Sequence, residues 1–173
     1  MTDSLVSRVF GVDPGLAITG YGIVDGDGTA ARIVAVGTIK TSARASKAER
    51  LARLFEGIGA LLEEHRPDAL AVELQFVAEN VRSAMTIGEA RSAAIVAAAS
   101  RGLPVFEYLP SAIKESVTGH GGAPKEQVRQ MVAIHLGLTL DELPASLDAS
   151  DALAVALTRL ADLRLEAALA RRA

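Results

Sequence analysis

Val9-Phe10-Gly11-Val12-Asp13-Pro14-Gly15 joins a buried strand to a charged end within seven residues. The run is apolar as far as Asp13, and Pro14-Gly15 then turns the chain. Two other apolar runs abut carboxylates in the same way: Ala69-Leu70-Ala71-Val72 stops on Glu73, and Asp148-Ala149-Ser150-Asp151 leads into Ala152 to Leu157. An acid held against buried structure requires a compensating charge. With no Cys and only His65, His120 and His135 as other soft ligands, the residue types favour a hard divalent cation held by oxygen.

Outward from Asp13 the pattern is a meander. Ile18 to Val24 is interrupted by Gly20 and Gly22, Asp25-Gly26-Asp27-Gly28 supplies a tight turn, and Arg32 to Lys40 alternates, so three antiparallel strands are predicted. The rhythm then changes. Ser46-Lys47-Ala48-Glu49 reads as a capping box ahead of Leu51, Leu54, Phe55, Ile58, Leu61 and Leu62 at helical spacing, with Pro67 as the stop. Ala69 to Glu73 reads as a buried strand, Asn80 to about Ser100 as a helix closed by Gly102 and Pro104, and Val105 to Tyr108 as a short strand. Ser111 to Thr118 forms a further helix. Pro124, at a first helical position, opens another with Val128, Met131, Val132, His135 and Leu136 inward, and a long last helix runs from about Leu147 into Arg171-Arg172.

Three strands followed by helix-strand alternation predict an α/β fold, a mixed five-stranded sheet flanked by helices, as one domain over residues 1–173. If the first and fourth strands are parallel neighbours, Asp13 and Glu73 end side by side where ligands bind such sheets. Asp148 and Asp151 are three apart and share a helical stripe with Ala152 and Val155, which points inward.

Composition narrows the setting. The 173 residues are 50% hydrophobic, enough for a sizeable core. No stretch offers 18 uncharged apolar residues, and Met1 to Ser7 carries Asp3 and no apolar core of signal length, so a chain that stays in the cytoplasm, off the membrane, is expected. The net charge of −3 does not advertise a nucleic-acid binder. Two bound divalent cations would carry it past zero, making phosphate attraction metal-dependent.

Each candidate has an ordinary alternative. Asp before Pro-Gly initiates turns unaided. Glu73 could pair with Arg66 or Arg82, and acids in a first helical turn favour the helix dipole. The dipole explains acids at 148 and 151, but not two on an inward stripe. Lys125 runs the other way: a cation in a first turn opposes the dipole, and after the Gly-rich loop at 119–122 it suits a phosphate. Phe76, three residues past Glu73, suits stacking on unpaired bases as well as core packing. Arg82, Arg91 and Arg129 fit a DNA backbone or plain surface equally. The small residues of the second helix, Gly88, Ala90, Ala93, Ala94, Ala97 and Ala98, suit close packing on the sheet or a two-fold interface.

Taken together, Gly11-Val12-Asp13-Pro14-Gly15 with Thr19-Gly20-Tyr21-Gly22, Glu73 with Phe76 and Asn80, Ser83-Ala84 with Gly88 and Ala90-Arg91, Pro104 to Tyr108, Lys114, Gly119, Gly121, Lys125, Gln127-Val128, and Asp148 with Asp151-Ala152-Leu153-Ala154 resemble the RuvC family of crossover junction endodeoxyribonucleases, the bacterial Holliday junction resolvases. The likeness covers nearly the whole chain. It implies a ribonuclease H-like fold and a homodimer that nicks two strands symmetrically at a four-way DNA junction, leaving 5′-phosphate and 3′-hydroxyl ends, in recombination and repair. By position it implies Asp13, Glu73, Asp148 and Asp151 as catalytic acids holding two Mg2+, with Mn2+ as a substitute, and Lys114 as a DNA contact. A branch-migration motor of the RuvA and RuvB type is the implied partner. Leu74 departs from the pattern, standing where the family commonly has Gln, with Gln75 one later, and His120 is idiosyncratic. Two other classes use related strands: an actin-like ATPase module, disfavoured by the lack of a second phosphate hairpin, and a non-catalytic DNA-binding or pre-ribosomal RNA processing relative, disfavoured by four intact acids.

Overall fold

The computed structural model describes residues 6–74 and 81–171. Its sheet is built from β1 (Ser7–Asp13), β2 (Ile18–Gly26), β3 (Ala31–Lys40), β4 (Ala69–Glu73) and β5 (Val105–Tyr108), in the order β3-β2-β1-β4-β5. The first three strands pair antiparallel, and β1-β4 and β4-β5 pair parallel. The chain therefore delivers the C-terminal ends of β1, β3, β4 and β5 to one edge. This is the mixed five-stranded, ribonuclease H-like arrangement expected of the sequence.

Helices cover both faces. On one, α1 (Lys47–His65) and α2 (Val81–Ala99) enclose Phe10, Val12, Ile23, Leu54, Ile58 and Leu70. On the other, α3 (Pro110–Thr118), α4 (Lys125–His135) and the long α5 (Leu147–Ala170) enclose Val9, Val24, Ala71, Val117, Val132 and Leu153. Strand alternation does the sorting: Phe10 and Val12 face α1, so Val9, Gly11 and Asp13 face α5. By the same rule Leu70 and Val72 face α1, while Ala71 and Glu73 face α5.

The capping box at α1 forms as expected, with Ser46 Oγ accepting from Glu49 N and Ser46 N donating to Glu49 Oε2 at 2.7 Å. Three local expectations need correction. The β2-β3 turn lies later than Asp25-Gly28, because β2 continues through Gly26 and Asp27 Oδ1 accepts from Thr29 N and Ala30 N to make the bend. Pro124 is the N-cap of α4, one residue before its first turn. His135 is exposed instead of inward, although its Nε2 sits 2.9 Å from the Val117 carbonyl; Ala133 takes the buried position.

Asp25, which the sequence pattern places in a turn, is buried at the far end of the sheet and receives Arg8 Nε at 2.7 Å together with Arg32. Arg8 also donates through Nη1 to His65 O at 2.8 Å and through its backbone N to Asp68 Oδ2 at 2.7 Å, tying β1 to the α1-β4 connection. The Arg8 hydrogen bond holds the Asp25 carboxyl below the usual carboxylate range. Asp25→Ala is expected to cost about 1–3 kcal/mol, because it leaves a half-buried guanidinium uncompensated. Urea denaturation measures this.

Candidate active site

The acid-bearing segments reach one place for separate reasons. Register carries Gly11 beside Ala71 and Val12 beside Val72, and one further step sets Asp13 at the end of β1 next to Glu73 at the end of β4. The N-terminus of α5 crosses the sheet at this same edge, and close approach is possible because the sheet presents glycines there. A methyl on Gly20 would overlap the Asp148 carbonyl, and one on Gly11 would overlap the Ala152 carbonyl and Ala156. Asp13 and Gly20 are cross-strand partners, so the glycine that admits Asp148 lies directly beside Asp13.

A cavity of about 560 Å³ opens at this junction, lined by Asp13, Glu73, Asp148 and Asp151 together with Lys114 of α3 and Lys125 of α4. Ile18, Ile113, Val128 and Val155 supply apolar wall. The field inside is strongly anionic. The Asp13 carboxyl is pushed up to about 8, first by burial, then by the charges of Glu73, Asp151 and Asp148, and by a hydrogen bond shared with Glu73. Ionising it would put a charge in a poorly solvated wall beside three like charges. Asp151 is also raised, mainly by burial, with Asp148 adding to the effect and Lys125 and Arg129 opposing it. Lys125 Nζ stands 3.6 Å from Asp151 Oδ2 and remains largely exposed.

The donor set fits a hard divalent cation: it is all oxygen, its negative charge is crowded, and a bound cation would relieve the repulsion that raises Asp13. Among the described residues, however, no three Asp, Glu or His side chains form a ready coordination cluster. The acids share a cavity and a field, with Asp13 and Glu73 in hydrogen-bond contact.

Other expected residues fare differently. Arg82 is exposed in the first turn of α2 and is not among the described residues that line the cavity. Arg91 turns to Glu107, with Nε 3.5 Å from Oε2. Arg129 donates to Pro144 O at 3.1 Å, bracing the segment before α5. Arg66 caps α1 before β4 begins, which puts it at the sheet edge opposite Glu73 and removes it as that residue's partner. Phe76, with Gln75 and Asn80, lies outside the described residues. His120 is an exposed loop residue.

Two contributors escaped the sequence reading. Ser146 is the N-cap of α5, accepting from Ala149 N, and its hydroxyl reaches Asp148 Oδ2 at 3.4 Å, so one side chain serves both helix start and acid. A Ser two residues ahead of Asp148 was the available signal. Farther along α5, buried Arg159 stacks over Phe106 at 3.6 Å and bonds Glu166 at 2.6 Å, while Tyr108 donates to Asp162 at 2.7 Å. These contacts anchor the helix to β5.

Residues 9–159 match the family model described as crossover junction endodeoxyribonuclease RuvC. A protein of that name from Geobacter sulfurreducens is 51% identical over 149 residues, covering 86% of this chain and 89% of the relative. One from Chloroflexus aggregans is 45% identical over 150 residues, covering 87% and 90%. Among solved structures, Thermus thermophilus RuvC in complex with Holliday junction substrate superimposes with a TM-score of 0.86 at 38% identity, covering 92% of this chain and 96% of that one.

Proposed function

The chain belongs to the RuvC family of crossover junction endodeoxyribonucleases, and from that membership we propose that it resolves four-way DNA junctions by nicking two strands symmetrically, leaving ligatable 5′-phosphate and 3′-hydroxyl ends. The observation that carries the reading is the shared cavity of Asp13, Glu73, Asp148 and Asp151, faced by Lys114 and Lys125. The carboxylates are the residues that would hold divalent metal. A pair of Mg2+ ions bound there, or Mn2+ in their stead, would supply activation of a water and stabilisation of the leaving 3′-oxygen.

The chain's own residues do the rest. Lys114 and Lys125 attract the phosphodiester into a pocket whose acids alone would repel it. The Lys125 ammonium, already beside Asp151, moves between that carboxylate and an incoming phosphate oxygen. Apolar wall from Ile18, Ile113 and Val128 limits water around the reacting phosphate, which strengthens every charge interaction there. The test compares cleavage of a mobile four-way junction, linear duplex and structured RNA, with Mg2+ and with chelator. Selective, Mg2+-dependent paired nicking of the junction is expected, and equal cleavage of linear duplex would overturn the reading.

Symmetric incision calls for two sites, so the active species is a homodimer. In support, α2 exposes Met85 and Val96, at 62% and 53%, and these border a groove with Leu51 and Phe55 of α1. Met85→Glu with Val96→Glu is expected to yield monomer in sedimentation and to lose paired incision. A branch-migration motor of the RuvA and RuvB type completes the assembly as partner.

No helix among the described residues is long and apolar enough to cross a membrane.

A further inference from the structure

Charge is unevenly distributed along the segment that leads from the end of β3 into α1. Residues 40–53 carry Lys40, Arg44, Lys47, Arg50 and Arg53 against one carboxylate, Glu49, in a chain of net charge −3. Glu49 is committed to the capping box. Lys47 is committed to Glu89 at 3.0 Å, and Arg50 Nε donates to Thr41 Oγ1 at 2.9 Å. Lys40 and Arg44 are exposed, and among the described residues neither has a carboxylate partner, whereas Arg8, Arg32, Arg91 and Arg101 each hold one. Exposed cations without an internal partner are available to an external anion.

Their position relates them to the acids. Lys40 pairs across the sheet with Ile18, and directly opposed residues project from the same face. Ile18 lines the acid cavity, and Gly20, two residues on, is the position that touches Asp148. Lys40 thus stands one strand beyond Ile18 of the cavity wall, on β3, whereas Lys114 and Lys125 come from α3 and α4. Register runs Asp13, Gly20, Thr38 across the strands, so two strand spacings and two residues of rise set Lys40 about 12 Å from Asp13. That separation is on the order of three to four base steps of a duplex.

The segment is also held in place. Thr41 N donates to Ala17 O at 3.1 Å and Thr41 Oγ1 to Leu16 O at 2.6 Å, which ties it to the residues following Asp13-Pro14-Gly15. Ala45 N donates to Ser42 O and Arg44 N to Ser42 Oγ, both at 3.2 Å, so the turn presenting Arg44 is itself bonded.

We propose that Lys40 and Arg44 form a phosphate-binding ledge that seats the backbone of a duplex arm leading away from the strand cut in the acid cavity. The proposal rests on the endonuclease reading and adds a contact surface to it. Flexible exposed cations grip phosphate and fix register without reading bases. Each contact releases condensed counterions, which makes the ledge visible in salt dependence.

The test is anisotropy of a labelled four-way junction between about 50 and 200 mM salt, in an Asp13→Asn background that keeps the junction intact. Adding Lys40→Gln and Arg44→Gln is expected to lower the salt slope by about 2 and to weaken binding about tenfold to sixtyfold near 0.1 M salt. The melting temperature should not change, and with Asp13 restored, single-turnover cleavage at saturating protein should not change. The swap Lys40→Arg with Arg44→Lys should restore the slope. An unchanged slope on loss of both charges, or a reduced cleavage rate at saturation, overturns the ledge while leaving the endonuclease reading intact. No junction binding when Lys40 and Arg44 are native overturns the endonuclease reading and the ledge with it.

Discussion

Asp13→Asn is expected to abolish junction cleavage and, in the same molecule, to stabilise the metal-free protein at neutral pH. Removing a preorganised charge from a site of this type costs about a hundredfold to a thousandfold in rate, and the loss here should be at the upper end, because Asp13 is the acid most enclosed by the others. The stability gain has the opposite cause. Asp13 titrates at about 8 in the fold against an ordinary value of 3.8. Between those values the unfolded chain carries an ionised carboxylate while the folded one keeps its proton, so raising the pH through this window favours unfolding. The contribution is full below about pH 4 and is lost as the pH climbs through 8, an effect on the order of a few kcal/mol. In chelator, the wild-type melting temperature should therefore fall between pH 5 and pH 8, and Asp13→Asn should flatten that fall. Added Mg2+ should raise the melting temperature more at pH 8 than at pH 5, since cation and proton compete for one carboxylate. Retained cleavage by the variant, or destabilisation at pH 8, would take Asp13 out of the centre of the site.

Gly20→Ala is expected to injure fold and chemistry together. The new methyl would overlap the carbonyl of Asp148, and backbone on a packed helix cannot rotate away as a side chain can. Overpacking of this kind costs about 1–3 kcal/mol or more. The relief available is a shift of the α5 N-terminus off the sheet, which carries Asp148 and Asp151 away from Asp13 and Glu73. Cleavage at saturating Mg2+ should fall by an order of magnitude or more in protein that still unfolds cooperatively, because small displacements of positioned groups are costly. Urea titration alongside single-turnover cleavage separates the two effects. A variant of native stability and native rate would show that the glycine does not set the distance between sheet and helix.

Much of the site was legible because strand chemistry is local. The acids at 13 and 73 each end an apolar run, and the meander followed by helix-strand alternation announced a mixed sheet; that β1 and β4 are parallel neighbours in it, the condition for the two acids to meet, came from the structure. The inward stripe of Asp148 and Asp151 followed from helical period. Less legible were features that depend on partners remote in the chain. Asp25 looked like a turn residue until Arg8 and Arg32 surrounded it. His135 sits on a stripe that reads as inward, yet it is exposed, with its Nε2 against the Val117 carbonyl of α3. Arg159 belongs to a helix whose buried stretch should exclude charge, and the Phe106 ring, Tyr108 and Glu166 explain its presence.

The sequence by itself determined the element order and the mixed sheet and marked four acids that line one cavity, because hydrophobic period and turn residues act within a few positions of the chain. Tertiary structure alone decided that Gly11 and Gly20 admit α5 against the sheet, that Lys125 reaches Asp151, and that Lys40 lies across from Ile18 of the cavity wall. Those relations join segments tens of residues apart, and only the packing of helix on strand brings their fields and surfaces together.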